Sequence, residues 1–263
     1  MRTLLSFFLI CSFAASAQAG IQAEEIKYSS GGTTLNGYLV YDDSVKGRRP
    51  GVLVVHEWWG HNDHARERAR MLAELGYTAL AVDMYGDGKL ADHPDKAGEF
   101  MNAAFKDWKG SRAKFNAAKK LLQGHSTVDP KHIASIGFCF GGAVSLRMAR
   151  EGADLDAVVA FHSALPTDPP VSPGKVKAAV LVINGANDAW LDHKAVAAFK
   201  KEMKAATKNF QYLTLAGAKH SYTNKRADEF SKKFKMDNLK YNKQADKRAW
   251  AAMQNLFKRV FAK

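Results

Sequence analysis

A cysteine set between glycines offers the first chemistry in this chain. Cys139 stands in Gly137-Phe138-Cys139-Phe140-Gly141. It follows the apolar run 133–138 and precedes a helix-forming stretch, 141–150. Glycines two positions to either side of a nucleophile permit a tight strand-to-helix turn that lifts the side chain above a sheet. The dipole of the following helix favours thiolate, the reactive form. The backbone N–H of Phe140, at the head of that helix, is placed to meet a developing oxyanion.

A thiol nucleophile needs a base, and an imidazole base needs a carboxylate to fix its tautomer. Asp188, in Gly185-Ala186-Asn187-Asp188, follows the apolar run 179–184. His220, in Gly217-Ala218-Lys219-His220-Ser221, follows the run 210–215. Taken singly, Asp188 reads as a loop or cap aspartate and His220 as a surface histidine, and Asp192 is a rival acid. Their order along the chain (nucleophile, acid, base) and their shared position just past strand-like runs join them into a triad. His56-Glu57-Trp58-Trp59-Gly60 follows the run 51–56. There the Trp58 N–H is a candidate second oxyanion donor. Glu57 is expected near the thiol, able to hold or exchange its proton, against the plainer reading of a salt-bridged rim carboxylate. Tyr85 follows the run 78–84 and is a candidate for the pocket wall, although ordinary packing is an equal reading. Trp59 and Tyr222 complete the expected pocket. His56, His61 and His64 lie close in sequence, but no Cys/His spacing matches a structural zinc site, so a metal is not expected.

The elements that must position these residues alternate. Residues 51–56 (GVLVVH), 78–84, 133–138, 157–161, 179–184 and 210–215 read as strands, the first as one buried on both faces. Residues 34–41 read as an edge strand. Helices are predicted over 62–75, capped by Asn62, and over 94–108, 111–122, 141–150, 192–206 and 243–261. In the last of these, Trp250, Met253, Phe257 and Phe261 form a core-facing stripe. This alternation predicts an α/β domain with a mainly parallel sheet covered by helices on both faces. Ligands in such sheets sit at the carboxyl ends of the strands, where every candidate residue falls.

The chain has 263 residues, of which 46% are hydrophobic, enough for one buried core. Residues 1–19 have the basic start, short apolar run and Ala17-Gln18-Ala19 ending of a cleaved signal peptide, leaving a single domain over 20–263. A periplasmic or secreted location is therefore expected. Export removes Cys11 and leaves Cys139 as the sole cysteine, a candidate reactive thiol in an oxidising compartment. Lys and Arg number 39 against 26 Asp and Glu, a formal charge of +13. The basic residues are spread through helices without aromatic interleaving or a basic tail. A solvated surface is expected rather than a nucleic-acid or membrane partner.

Taken together, these motifs resemble the dienelactone hydrolase family of α/β-hydrolases. The resemblance rests on His56-Glu57-Trp58-Trp59-Gly60, Asp83-Met84-Tyr85, Gly137-Phe138-Cys139-Phe140-Gly141-Gly142, Asn187-Asp188, His220-Ser221-Tyr222-Thr223-Asn224 and Tyr241-Asn242. It implies a Cys139–His220–Asp188 triad, a resting contact between the thiol and Glu57, oxyanion donors at Phe140 and Trp58, and no cofactor. It also implies action on a small ester, lactone or thioester, as carboxymethylenebutenolidases perform, and a monomer is expected. Asp87 and Asn224 stand where substrate-cleaving members carry arginines that bind a substrate carboxylate, with Arg226 a nearby substitute. Peptidase or acyl-transferase chemistry on the same triad, and a non-catalytic binding protein with a hydrolase pocket, remain alternatives.

Overall fold

The computed structural model describes residues 20–262. The signal-peptide reading of residues 1–19 lies outside them. The predicted alternation appears as one eight-stranded sheet. Its strands are β1 (Ile21–Ser30), β2 (Thr33–Asp42), β3 (Arg49–Val55), β4 (Thr78–Val82), β5 (Val128–Phe138), β6 (Ala157–Phe161), β7 (Ala179–Gly185) and β8 (Phe210–Leu215). They lie in the order β1-β2-β4-β3-β5-β6-β7-β8. From β4 to β8 every pairing is parallel, while β1 and β2 are antiparallel to their neighbours.

Seven helices cover the sheet: α1 (Asp63–Glu74), α2 (Pro94–Lys106), α3 (Trp108–Gln123), α4 (Phe140–Arg150), α5 (His193–Ala206), α6 (Ala227–Phe234) and α7 (Lys243–Phe261). Successive strand residues point to opposite faces, and the core divides accordingly. Val52, Val54, Ile136 and Phe138 pack with α1 and α7 on one face. Leu53, Val55, Val158 and Val180 pack with α3, α4 and α5 on the other. The stripe of α7 is core, as its spacing predicts, with Trp250, Met253 and Phe257 buried.

Two expectations change. Residues 34–41 are not an edge, because β1 pairs along the whole outer side of β2. The turn between them is Gly31-Gly32, both with positive φ (57° and 80°), the glycine pair that a two-residue hairpin favours. The polar residues Glu24, Glu25 and Lys27 of β1 are exposed, the charged rim that protects an edge strand from pairing with another chain. α6 was also unforeseen, lying inside the lysine-rich stretch 225–247, where Ala227 and Phe230 are its buried residues.

A buried ion pair ties α1 to α7. Arg68, 2% exposed, donates through Nη2 to Asp246 Oδ2 at 2.9 Å and also to the Thr223 carbonyl. Burial raises the Asp246 carboxyl, and Arg68 offsets it. Arg68→Met strands that carboxylate, so it is expected to destabilise the fold by about 3–5 kcal/mol. Urea unfolding followed by tryptophan fluorescence measures the loss. An unchanged midpoint would exclude Arg68 as a structural tie.

Candidate active site

β5 ends at Phe138, α4 begins at Phe140, and Cys139 makes the whole connection. Its φ of 52° and ψ of −114° are a strained combination for a residue bearing a side chain. The surroundings enforce it. Cys139 N donates to the Phe161 carbonyl at 3.0 Å, and the Cys139 carbonyl accepts from Ala143 N at 3.2 Å. A Cβ on Gly137 would lie 2.1 Å from the Gly141 carbonyl oxygen, and one on Gly141 would lie 2.2 Å from that of Val55. The glycines of the motif are therefore required by contact between backbones.

His220 and Asp188 are brought together. His220 Nδ1 lies 2.7 Å from Asp188 Oδ2. The other carboxylate oxygen accepts from Asn238 Nδ2 at 2.9 Å and from the Trp190 N–H at 3.1 Å. Burial alone would raise the Asp188 carboxyl, but His220 and Asn238 outweigh it and hold it low. The rival Asp192 is instead the cap of α5, accepting from Lys194 N at 2.8 Å. With Nδ1 on Asp188, His220 Nε2 makes no hydrogen bond among the described residues, and the ring shares its pocket with Cys139. Burial pulls the His220 pKa down, whereas the Cys139 thiolate and the Asp188 carboxylate push it up, to about 10 overall.

That shift has a consequence for stability. The folded pKa lies above the ordinary histidine value near 6.5, so the imidazolium's contribution is complete below pH 6.5 and is lost as pH rises through about 10. Denaturant midpoints compared at about pH 6 and about pH 10.5 should fall further for wild type than for Cys139→Ala, which lacks the thiolate. Equal falls would refute a charged Cys139–His220 pair.

The residues of the two candidate oxyanion donors, Phe140 and Trp58, line the same cavity as Cys139. Phe140 is the first residue of α4, so its N–H has no intrahelical acceptor. The peptide of Trp58 is held by Tyr85, whose hydroxyl donates to the Trp58 carbonyl at 2.9 Å. Upstream, His56 Nδ1 lies against the Glu57 carbonyl while Nε2 accepts from Met84 N at 3.3 Å. Burial keeps His56 low in pKa, hence neutral. Asp83 anchors the adjoining turn, accepting from the N–H groups of Tyr85, Gly86, Gly88 and Asn36.

Glu57 is buried beneath this loop but is not bonded to the thiol. Its Oε1 accepts from Ser221 Oγ at 2.7 Å and its Oε2 from Asn224 Nδ2. Among the described residues no hydrogen bond joins it to Cys139. His64 Nδ1 and His162 Nε2 stand 3.9 and 4.0 Å away, and Thr223 Oγ1 links the two rings at 3.2 and 2.7 Å. Burial holds both imidazoles well below their ordinary pKa, so they are neutral neighbours. Burial also raises the Glu57 carboxyl, against its hydrogen bonds from Ser221 and Asn224.

The pocket over Cys139 is a cavity of about 280 Å³. Besides Cys139, Trp58, Phe140 and His220, it is lined by Met101, Phe105, Ala143, Ala164, Trp190 and Leu191. Three expected wall residues are elsewhere. Trp59 is buried against Phe230 and Phe234, with ring centroids 4.6 and 5.8 Å away, and anchors α6. Tyr222 is fully buried and donates to the Ile183 carbonyl at 2.9 Å. Tyr85 packs on His56 and Phe140 and lines a neighbouring cavity. Conversely, Asn238, Trp190 and His162 were missed. His162 follows β6 directly, and the strand-end rule that found the other residues would have found it. Trp190, 49% exposed, packs on the His220 ring at 4.6 Å. Asn238 lies 50 residues from its partner Asp188, and no local pattern marks it.

A mainly parallel sheet wound by helices, with a candidate nucleophile on a strained strand-to-helix turn and a candidate acid and base following in chain order, is the arrangement of an α/β-hydrolase. The family model for the dienelactone hydrolase family matches residues 35–261, and the chain belongs to that family. It is similar, at 40% identity, to a solved structure named m3DLH, covering 92% of this chain and 99% of the other with a TM-score of 0.87. It is 35% identical to a dienelactone hydrolase-like promiscuous phosphotriesterase from metagenomic libraries, with the same coverages and a TM-score of 0.83. Protein usf of Aquifex pyrophilus is 28% identical over 209 residues, 78% of this chain and 88% of that protein.

Proposed function

We propose that this hydrolase cleaves carboxylic ester or lactone bonds through a covalent thioester on Cys139. The observation that carries the reading is the 2.7 Å His220–Asp188 contact, which leaves His220 Nε2 open toward the pocket that holds Cys139. The Cys139 thiolate attacks the carbonyl carbon, and the N–H groups of Phe140 and Trp58 receive the oxyanion. Collapse expels the alcohol oxygen, which takes its proton from the His220 imidazolium. His220, now neutral, draws a proton from water. The hydroxide oxygen attacks the thioester, releasing the acid and restoring the thiolate. Asp188 holds the imidazole tautomer throughout. Glu57, tied to Ser221 and Asn224, positions the loop that carries Trp58.

Brief exposure to p-nitrophenyl acetate, followed by intact mass measurement, tests the covalent step. Wild type is expected to carry one acetyl group, mapped to Cys139 by peptide digestion, and Cys139→Ala none. Equal labelling or equal turnover by the variant removes Cys139 as nucleophile. We further propose that the protein acts outside the cytoplasm, on the strength of the signal-like residues 1–19. N-terminal sequencing of the exported protein is expected to begin at Gly20, and an intact Met1 end would overturn this.

A further inference from the structure

We infer that the substrate is uncharged around its scissile carbonyl, an ester or lactone with apolar substituents rather than a carboxylate-bearing one. This rests on the hydrolytic reading above and narrows it. The wall over Cys139 is built from Met101, Phe105, Ala143, Ala164, Trp190 and Leu191. None of these carries charge, and among the described residues no lysine or arginine lines the cavity. The positions that could supply a cation do not. Asp87 lies at the surface with Lys89 Nζ 3.4 Å away. Asn224 points inward to Glu57. Arg226, on which a substitute for the missing arginines would depend, is committed to Glu229 through two hydrogen bonds of 2.8 and 2.9 Å. Lys225 pairs with Glu67. Lys114 donates to the carbonyls of Met84 and Tyr85 at 3.3 and 3.1 Å.

Among the described residues no cation beside the nucleophile is free for an anion. The buried Asp188 carboxylate stands beside the site, and the one basic side chain lining the cavity is that of His220. Its Nδ1 is taken by Asp188, and its Nε2 is needed by the thiol and the leaving group. A substrate carboxylate would enter an apolar cavity with no partner, losing its hydration without replacement. Alkyl substituents instead gain from the same wall, each buried methylene strengthening binding by about fourfold.

An isosteric pair of esters reads this directly. p-Nitrophenyl 5-methylhexanoate and the p-nitrophenyl monoester of glutaric acid have the same chain length and terminal shape, one ending in isopropyl and the other in carboxylate. Turnover is measured for wild type and Cys139→Ala, the latter giving the background to subtract. The neutral ester is expected to have kcat/KM at least about a hundredfold higher. Cys139-dependent turnover with the two values within about threefold, or with the anion preferred, overturns the charge inference and leaves the thioester mechanism standing. Absence of Cys139-dependent turnover with either ester overturns both.

Discussion

His220→Ala is expected to lower kcat/KM on a neutral aryl ester by roughly a thousandfold or more. Proton transfer by a positioned imidazole contributes about 10²–10⁴ on its own, and His220 serves in both halves of the cycle. A urea midpoint equal to that of wild type separates loss of the base from general damage to the fold. Asp188→Asn should cost less, because an amide at that position keeps the contact to His220 Nδ1 while weakening the preference for the productive tautomer. Asn238→Ala should cost least, about tenfold. Asn238 Nδ2 donates to Asp188 at 2.9 Å while its Oδ1 accepts from Ala189 N at 2.9 Å, and Asp188 keeps the Trp190 N–H on the same oxygen. The expected ranking is His220, then Asp188, then Asn238. A His220→Ala enzyme within tenfold of wild type would remove the imidazole from the mechanism.

The ranking also marks where a linear sequence carries information. The candidate triad was legible because its members follow strand-like runs, and buried strands announce themselves as continuous apolar runs; β8, ahead of His220, is the exception, with only Leu215 buried. Val52 to Val55 and Val180 to Ile183 are all buried, and the chemistry follows within a few residues. The strand β1 left a weaker trace. Only one of its faces is half-buried, through Gln22, Ile26, Tyr28 and Ser30, and alternation that faint resembles a polar terminus. The pocket wall was the least legible part. Tyr85, Trp59 and Tyr222 flank catalytic positions in the chain, but sequence neighbours on a strand-end loop point in different directions. Trp59 turns toward α6, and Tyr222 turns under the sheet toward Ile183. The true wall comes partly from Met101 and Phe105 on α2, a helix whose docking no local pattern specifies. Glu57 shows the same limit. Its strand-end position was readable, but its hydrogen bonds to Ser221 and Asn224 span 164 and 167 residues.

Gly141→Ala is expected to cost at least about 3 kcal/mol and the activity with it. The added methyl carbon would sit 2.2 Å from the Val55 carbonyl oxygen, 2.5 Å from its carbon and 2.6 Å from the His56 carbonyl oxygen. All three atoms are backbone, so no rotamer change relieves the clash. Either α4 must withdraw from β3 or β3 must shift. β3 is the centre of the sheet, paired to β4 on one side and β5 on the other, so its movement disturbs both. Withdrawal of α4 instead displaces the Phe140 N–H from the oxyanion position, and a misplacement of about 1 Å can cost a hundredfold in rate. The contrast is Gly98, inside α2, where a Cβ would meet nothing within 4 Å. There the same Gly→Ala change should stabilise the protein by about 0.5–1 kcal/mol through helix propensity alone. Urea unfolding of both variants beside wild type reads the two effects with opposite sign. A Gly141→Ala protein with wild-type stability would mean that the elbow is not held by contact between α4 and β3, and the strained backbone of Cys139 would then need another cause.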